Sequence, residues 1–187
     1  MKILAIVGSL RSESYNLMLA HAAASTLAKH HPDIEFEILD WSAVPLFNQD
    51  IEYPAPIAVA QVRELVKEAD GVWLFSPEYN HSIPGPLKNL LDWLSRPVSK
   101  TEDQVLRGKP FALAGASPGM SGTSHAQDAL VVMLSFVQAN TMNAPRLVIP
   151  HIAQQMKDGV LSLSDSAPYL EKQAAAFVKF IEAQRCR

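Results

Sequence analysis

The chain has 187 residues, of which 48% are hydrophobic, a formal net charge of -3 and one cysteine. That length buries about 70% of the unfolded surface in a single core, and the charge, with no basic cluster, argues against nucleic acid or an anionic membrane as the main partner. The lone cysteine, Cys186, excludes a disulfide framework, a paired-cysteine redox motif and a thiolate zinc site.

Lys2 to Val7 is the first expected strand. Its apolar run stops at Gly8 and is followed by Arg11 and Glu13, too soon for an export segment, and nothing approaches the ~20 apolar residues of a membrane span. A soluble, cytoplasmic protein is expected. Leu17 to Leu27 supplies a helix whose buried set is Leu17, Leu19, Ala20, Ala23, Ala24 and Leu27, and Glu35 to Leu39 is the second strand. Ile57 to Lys67 repeats apolar residues at helical spacing, and Gly71 to Phe75 is an apolar strand of the buried kind. Pro84 and Pro86 open a helix that carries Leu87, Leu90, Leu91 and Leu94 and stops before Pro97. Pro110 to Ala116, His125 to Gln138, Leu147 to Ile149 and Tyr169 to Ala183 continue as strand, helix, strand and helix. This alternation belongs to a parallel sheet covered on both faces, with residues 1–187 read as one domain. Two long irregular stretches, Ser42 to Pro56 and Ser95 to Lys109, are of the length that is usually functional, mobile or interface-forming. The aromatics in or just before the first, Trp41, Phe47 and Tyr53, are assigned to packing.

In such a sheet ligands lie at the carboxyl ends of the strands, near the point where strand order reverses, so the loops after the first, third and fourth strands should converge. The first is Gly8-Ser9-Leu10-Arg11-Ser12-Glu13-Ser14-Tyr15-Asn16. Unpaired amides at a helix start, together with the helix dipole, form an anion site. Around it stand the hydroxyls of Ser9, Ser12 and Ser14, the amide of Asn16 and the guanidinium of Arg11. A bridging pyrophosphate needs G-x-G-x-x-G and a P-loop needs Gly-Lys-Ser/Thr; neither is present. The donors suit a terminal phosphate, as in flavin mononucleotide (FMN), although a plain Ser/Asn-capped helix reads the same way.

The loop after the third strand, Ser76-Pro77-Glu78-Tyr79-Asn80-His81-Ser82-Ile83-Pro84-Gly85-Pro86, fixes φ at three prolines and leaves amides outside any ladder, where they can read the edge of a flat heterocycle. A rigid turn with proline in the first helical turn is the alternative. After the fourth strand, Gly115-Ala116-Ser117-Pro118-Gly119 matches G-x-S-x-G, but Pro118 has no N–H to complete an oxyanion hole. Ser117 is therefore expected to touch a ligand's ring or ribityl chain, or to cap the turn, with a serine hydrolase as the lesser alternative. His21, His30 and His31 face no ligand set, so no metal is expected. His81 and His125 sit near the expected substrate face, and Lys88 and Asp92 form a helical pair of structural character.

Together the first loop and Ser76-Pro77-Glu78-Tyr79-Asn80-His81-Ser82-Ile83-Pro84-Gly85-Pro86-Leu87-Lys88-Asn89 resemble the NADPH-dependent FMN reductase family, which includes bacterial quinone and chromate reductases. The resemblance implies a flavodoxin-like fold: α/β, three layers, a doubly wound five-stranded parallel sheet in the order 2-1-3-4-5. It implies FMN as cofactor, with its phosphate held by Ser9, Arg11, Ser14 and Asn16 within the cup Ser9, Leu10, Arg11, Ser12, Glu13, Ser14, Tyr15 and Asn16. The ring is then held by backbone groups of Pro77, Glu78, Tyr79 and Asn80, with Ser117 from the third loop. The implied activity is NAD(P)H oxidoreduction, NADPH or NADH giving hydride through FMN to a small acceptor such as a quinone, free flavin, azo compound or chromate. No side chain is required as acid or base, and a homodimer or homotetramer is implied. Ser121-Gly122-Thr123-Ser124-His125 departs from a Gly-Gly and Arg pattern of relatives, which leaves NADPH against NADH open. A flavodoxin-type electron carrier is the alternative; carriers usually show a strongly acidic docking surface, whereas this chain is mildly acidic.

Overall fold

The computed structural model describes residues 1–163 and 165–185; Cys186 lies outside them. Strands β1 (Lys2–Val7), β2 (Glu35–Ile38), β3 (Gly71–Phe75) and β4 (Pro110–Ala116) are parallel in the order β2-β1-β3-β4. The position beyond β4 is shared. β5 (Asn140–Thr141) pairs with the start of β4 and β6 (Leu147–Ile149) with its end, giving the expected 2-1-3-4-5 order with its last strand in two pieces. Pro145 sits between the pieces and has no N–H to give a ladder.

Every residue of β3 and β4 is buried, as both faces of a parallel sheet require. Alternate residues point to opposite faces. Ile3, Ala5, Trp73, Phe75, Ala112 and Ala114 meet α1 (Tyr15–His30) and α5 (Ala167–Arg185) through Leu19, Ala23, Leu27, Phe177 and Ile181. Leu4, Ile6, Val72, Leu74, Phe111 and Leu113 meet α2 (Ile57–Glu68), α3 (Gly85–Leu94) and α4 (Ser124–Phe136) through Val62, Val66, Leu87, Leu90, Leu130 and Leu134. The result is three layers. A two-stranded hairpin, β7 (Met156–Lys157) with β8 (Val160–Leu161), stands outside this sheet and was not expected from the sequence.

The 42–56 stretch is anchored rather than free. Pro45 accepts hydrogen bonds from Asn89 and from Trp93 Nε1, both at 2.9 Å, and the Phe47 amide donates to Asn89 Oδ1 at 2.7 Å. Phe47 packs edge-on against Trp93 with ring centres 4.8 Å apart. The buried Glu52 carboxylate pairs with Arg96 at 2.7 Å, which holds its carboxyl below the usual glutamate range. Trp41 is buried and donates to the Val7 carbonyl. Lys88 and Asp92 pair at 2.6 Å on the surface of α3. Among the described residues no helix is long and apolar enough to cross a membrane.

Candidate functional site

Three backbone hydrogen bonds bring the loops together at the carboxyl edge. The Gly8 amide donates to Phe75 O at 2.8 Å, the Ser76 amide to Ala114 O at 2.9 Å and the Ser117 amide to Ile149 O at 3.1 Å. Close approach depends on small residues. A Cβ added to Gly8 would lie 2.8 Å from Leu87 Cδ2 and 3.2 Å from Pro77 Cδ, and one added to Gly115 would lie 2.0 Å from Thr123 Oγ1 and 2.5 Å from Ser76 O.

Where the loops meet, a cleft of about 230 Å³ is lined by Ser9, Arg11, Ser14, Tyr15, Asn16, Pro77, Glu78, Tyr79, Ala116, Ser117 and Pro118. A second recess of about 170 Å³ shares Ser9 and Arg11 and adds Leu10 and Ser12, against Ile38 to Ser42. Glu13 and Asn80 line neither. Ala116 and Pro118 join the walls without having been expected; neither has a polar side chain that could have signalled it.

Helix α1 begins at Ser14, whose extended backbone (φ -74, ψ 129) and hydroxyl make the cap: Oγ accepts from the amides of Asn16 at 3.2 Å and Leu17 at 3.4 Å. The helix starts two residues before the apolar pattern because a cap, not a hydrophobic residue, sets its first turn. Along the loop and into the first turn, the amides of Ser9, Leu10, Ser12, Glu13, Ser14 and Tyr15 donate to no acceptor among the described residues. Arg11 has a single ionic partner there, Glu13 at 3.6 Å, and both side chains are exposed. Such a pair contributes about 1 kcal/mol at most, so an anion can displace it. These donors fit a phosphomonoester.

Asn16 lines the same cleft and has a second task. Its Nδ2 donates to Ala116 O and its Oδ1 accepts from the Ala116 amide, both at 3.0 Å, and the residue is buried. The side-chain amide ties α1 to the end of β4, with one Nδ2 hydrogen left over in a residue that also lines the cleft.

The ring-side loop is a tight turn. Tyr79 and Ser82 exchange both backbone hydrogen bonds, at 3.2 and 3.0 Å, with Asn80 (φ 52) and His81 (φ 58) both left-handed between them, as in a type I′ turn. Tyr79's amide and carbonyl are thereby engaged, and the Pro77 carbonyl accepts from Ser76 Oγ at 2.8 Å. The amides of Glu78 and Asn80 remain unpaired among the described residues. The Glu78 side chain, 7% exposed, turns away: Oε2 accepts from the amides of His125 at 2.9 Å and Ala126 at 3.2 Å, capping α4. Burial works against its charge, but these amides and the neighbouring Ser121 hydroxyl prevail and hold the carboxyl below the usual glutamate range. Thr123, the residue before α4, is left-handed and makes no side-chain cap, so Glu78 takes that task from 45 residues away.

Ser117 Oγ donates to Gly119 O at 3.2 Å and has no histidine partner among the described residues. With Pro118 next in sequence, the serine hydrolase reading has neither base nor oxyanion hole. The rings of His81 and His125, 44 residues apart in sequence, lie 4.6 Å apart at the rim.

Residues 1–154 match the family model of NADPH-dependent FMN reductase. The chain is 35% identical over 186 residues to a 2-hydroxy-1,4-benzoquinone reductase of a Burkholderia species, covering 99% of this chain and 98% of that one. It is 40% identical over 149 residues to an NAD(P)H-dependent FMN reductase of Pseudomonas aeruginosa, covering 79% and 77%. Among solved structures it is similar to a flavoenzyme NAD(P)H:(acceptor) oxidoreductase from Paracoccus denitrificans, with a TM-score of 0.86, 32% identity and 98% of each chain covered.

Proposed function

The chain belongs to the NADPH-dependent FMN reductase family, and on that premise we propose that the 9–16 loop, the 77–80 loop and Ser117 hold FMN at the carboxyl edge of the sheet. The protein is an FMN-dependent NAD(P)H oxidoreductase. One observation carries the site: a row of unpaired amides beside Arg11, at the open start of α1.

Bound FMN supplies the redox chemistry, accepting hydride from NADPH or NADH and passing it to an acceptor. The chain's own part is binding and orientation. The loop amides with the Ser9 and Ser14 hydroxyls donate to the phosphate, and Arg11 offsets its charge. Leu10, Ser12, Glu13 and Tyr15 shape the loop around that cup, while Asn16 fixes it to β4. The amides of Glu78 and Asn80 are the donors left for the polar edge of the ring, beside Pro77 and Tyr79, and Ser117 closes the opposite wall. No side chain is assigned as acid, base or nucleophile.

Quinones are the proposed acceptors, because the Burkholderia relative is named for that reaction. We take residues 1–187 as one cytoplasmic unit that works as a homodimer or homotetramer; Val132 and Phe136, 72% and 87% exposed on α4, supply apolar surface for self-association. The purified protein is expected to be yellow, to bleach when NADH or NADPH is added without oxygen, and to regain colour with a quinone. A colourless protein that takes up no FMN overturns the site. An FMN-loaded protein that neither nucleotide bleaches would instead be an electron carrier.

A further inference from the structure

The donor atoms of Glu78, His81 and His125 all lie within 4.8 Å of one another. They come from three separate local causes. Glu78 is clamped by the first amides of α4, so one carboxylate oxygen is fixed and the other is left facing His81 Nδ1 at 3.9 Å, too far for a hydrogen bond. The paired left-handed residues Asn80 and His81 bend the chain back so that the His81 ring returns over Glu78. His125 stands in the first turn of α4, beside the amides that Glu78 caps. Neither imidazole makes a hydrogen bond among the described residues, and the His81 side chain is 77% exposed.

Two neutral imidazoles and one carboxylate are the donor set of Zn²⁺ and its neighbours Co²⁺ and Ni²⁺. Ligand-to-metal distances of about 2.0–2.2 Å place tetrahedral donors roughly 3.3 Å apart. Closing the present gaps therefore needs movements of about 1 Å, within reach of two exposed imidazoles turning on their side-chain bonds. The carboxylate needs no such freedom, because its other oxygen is already oriented by amides, the role that outer hydrogen bonds play around metal ligands.

We propose that Glu78, His81 and His125 bind one divalent transition-metal ion of the zinc class at the rim of the cleft, with a position left open for water or a small oxygen ligand. The site is built from this chain's side chains alone and does not depend on the cofactor reading, so either can fail without the other.

Isothermal titration of the full-length protein, prepared without a histidine tag, with Zn²⁺ at neutral pH tests it. One ion per chain is expected, weakened at least tenfold by His81→Ala and by His125→Ala singly and undetectable in the double variant. His21→Ala, in the middle of α1 and not a member of the cluster, should leave it unchanged. Both rim histidines are exposed, so the variants should fold, and their circular dichroism and melting curves check that they do. No saturable binding by the wild type, a double variant that binds as tightly as wild type, or a loss confined to one histidine overturns the proposal. In each of those cases FMN uptake would be unaffected.

Discussion

Helices α1 and α4 both start at the carboxyl edge of one sheet, each after a buried parallel strand, yet their starts are electrically opposite. At α4 the first amides are closed by the buried carboxylate of Glu78, a full negative charge against the positive end of the dipole. At α1 the cap is the neutral Ser14 hydroxyl, the amides of Ser9, Leu10, Ser12 and Glu13 before it are unpaired among the described residues, and the positive Arg11 lines the cleft beside it. The dipole is common to both. What makes one end a site for an anion is that the chain has not already supplied the anion itself.

The contact that packs the α4 start beneath the ring-side loop is the most sensitive point. Gly115→Ala drives a methyl into Thr123 Oγ1 and the Ser76 carbonyl; a loss of about 3 kcal/mol in urea unfolding is expected, at the upper end for overpacking. Little change would mean that the α4 start can shift independently of the loop. Arg11→Ala should leave stability as it is and weaken FMN by about 1.5–3 kcal/mol, the range for a charge-assisted bond, read by fluorescence titration. The sharper form uses riboflavin, which has no phosphate: its affinity should be the same in both proteins. Glu78→Gln keeps an acceptor over the α4 amides and removes only the charge, so a loss of about 1 kcal/mol in unfolding is expected. A neutral result there would show that hydrogen bonding, and not charge, distinguishes the two helix starts.

The fold was largely legible because buried parallel strands announce themselves as apolar runs: Gly71 to Phe75 and Pro110 to Ala116 are found where the pattern puts them. The Ser9 to Asn16 loop was legible because a strand, a donor-rich turn and a helix cap are all local. Three features were not. The divided last strand arises from pairing with two ends of β4, which no window of sequence contains. The β7–β8 hairpin has strands of two residues each, too short for any alternation to register; Asp158-Gly159, both at positive φ, was its one signal. The meeting of Glu78 with the start of α4, and of His81 with His125, joins segments more than 40 residues apart through the sheet's topology alone.

The bond of Asn16 to Ala116 also joins distant segments, and it carries a consequence for how this sequence can drift. The hydroxyl-bearing cup tolerates exchange of Ser for Thr, since either offers a rotatable O–H. The clamp on Ala116 asks one short side chain to give and to receive at once in a buried place. A carboxylate would face a carbonyl oxygen there and glutamine carries an extra methylene, so the substitutions open to position 16 shrink almost to none.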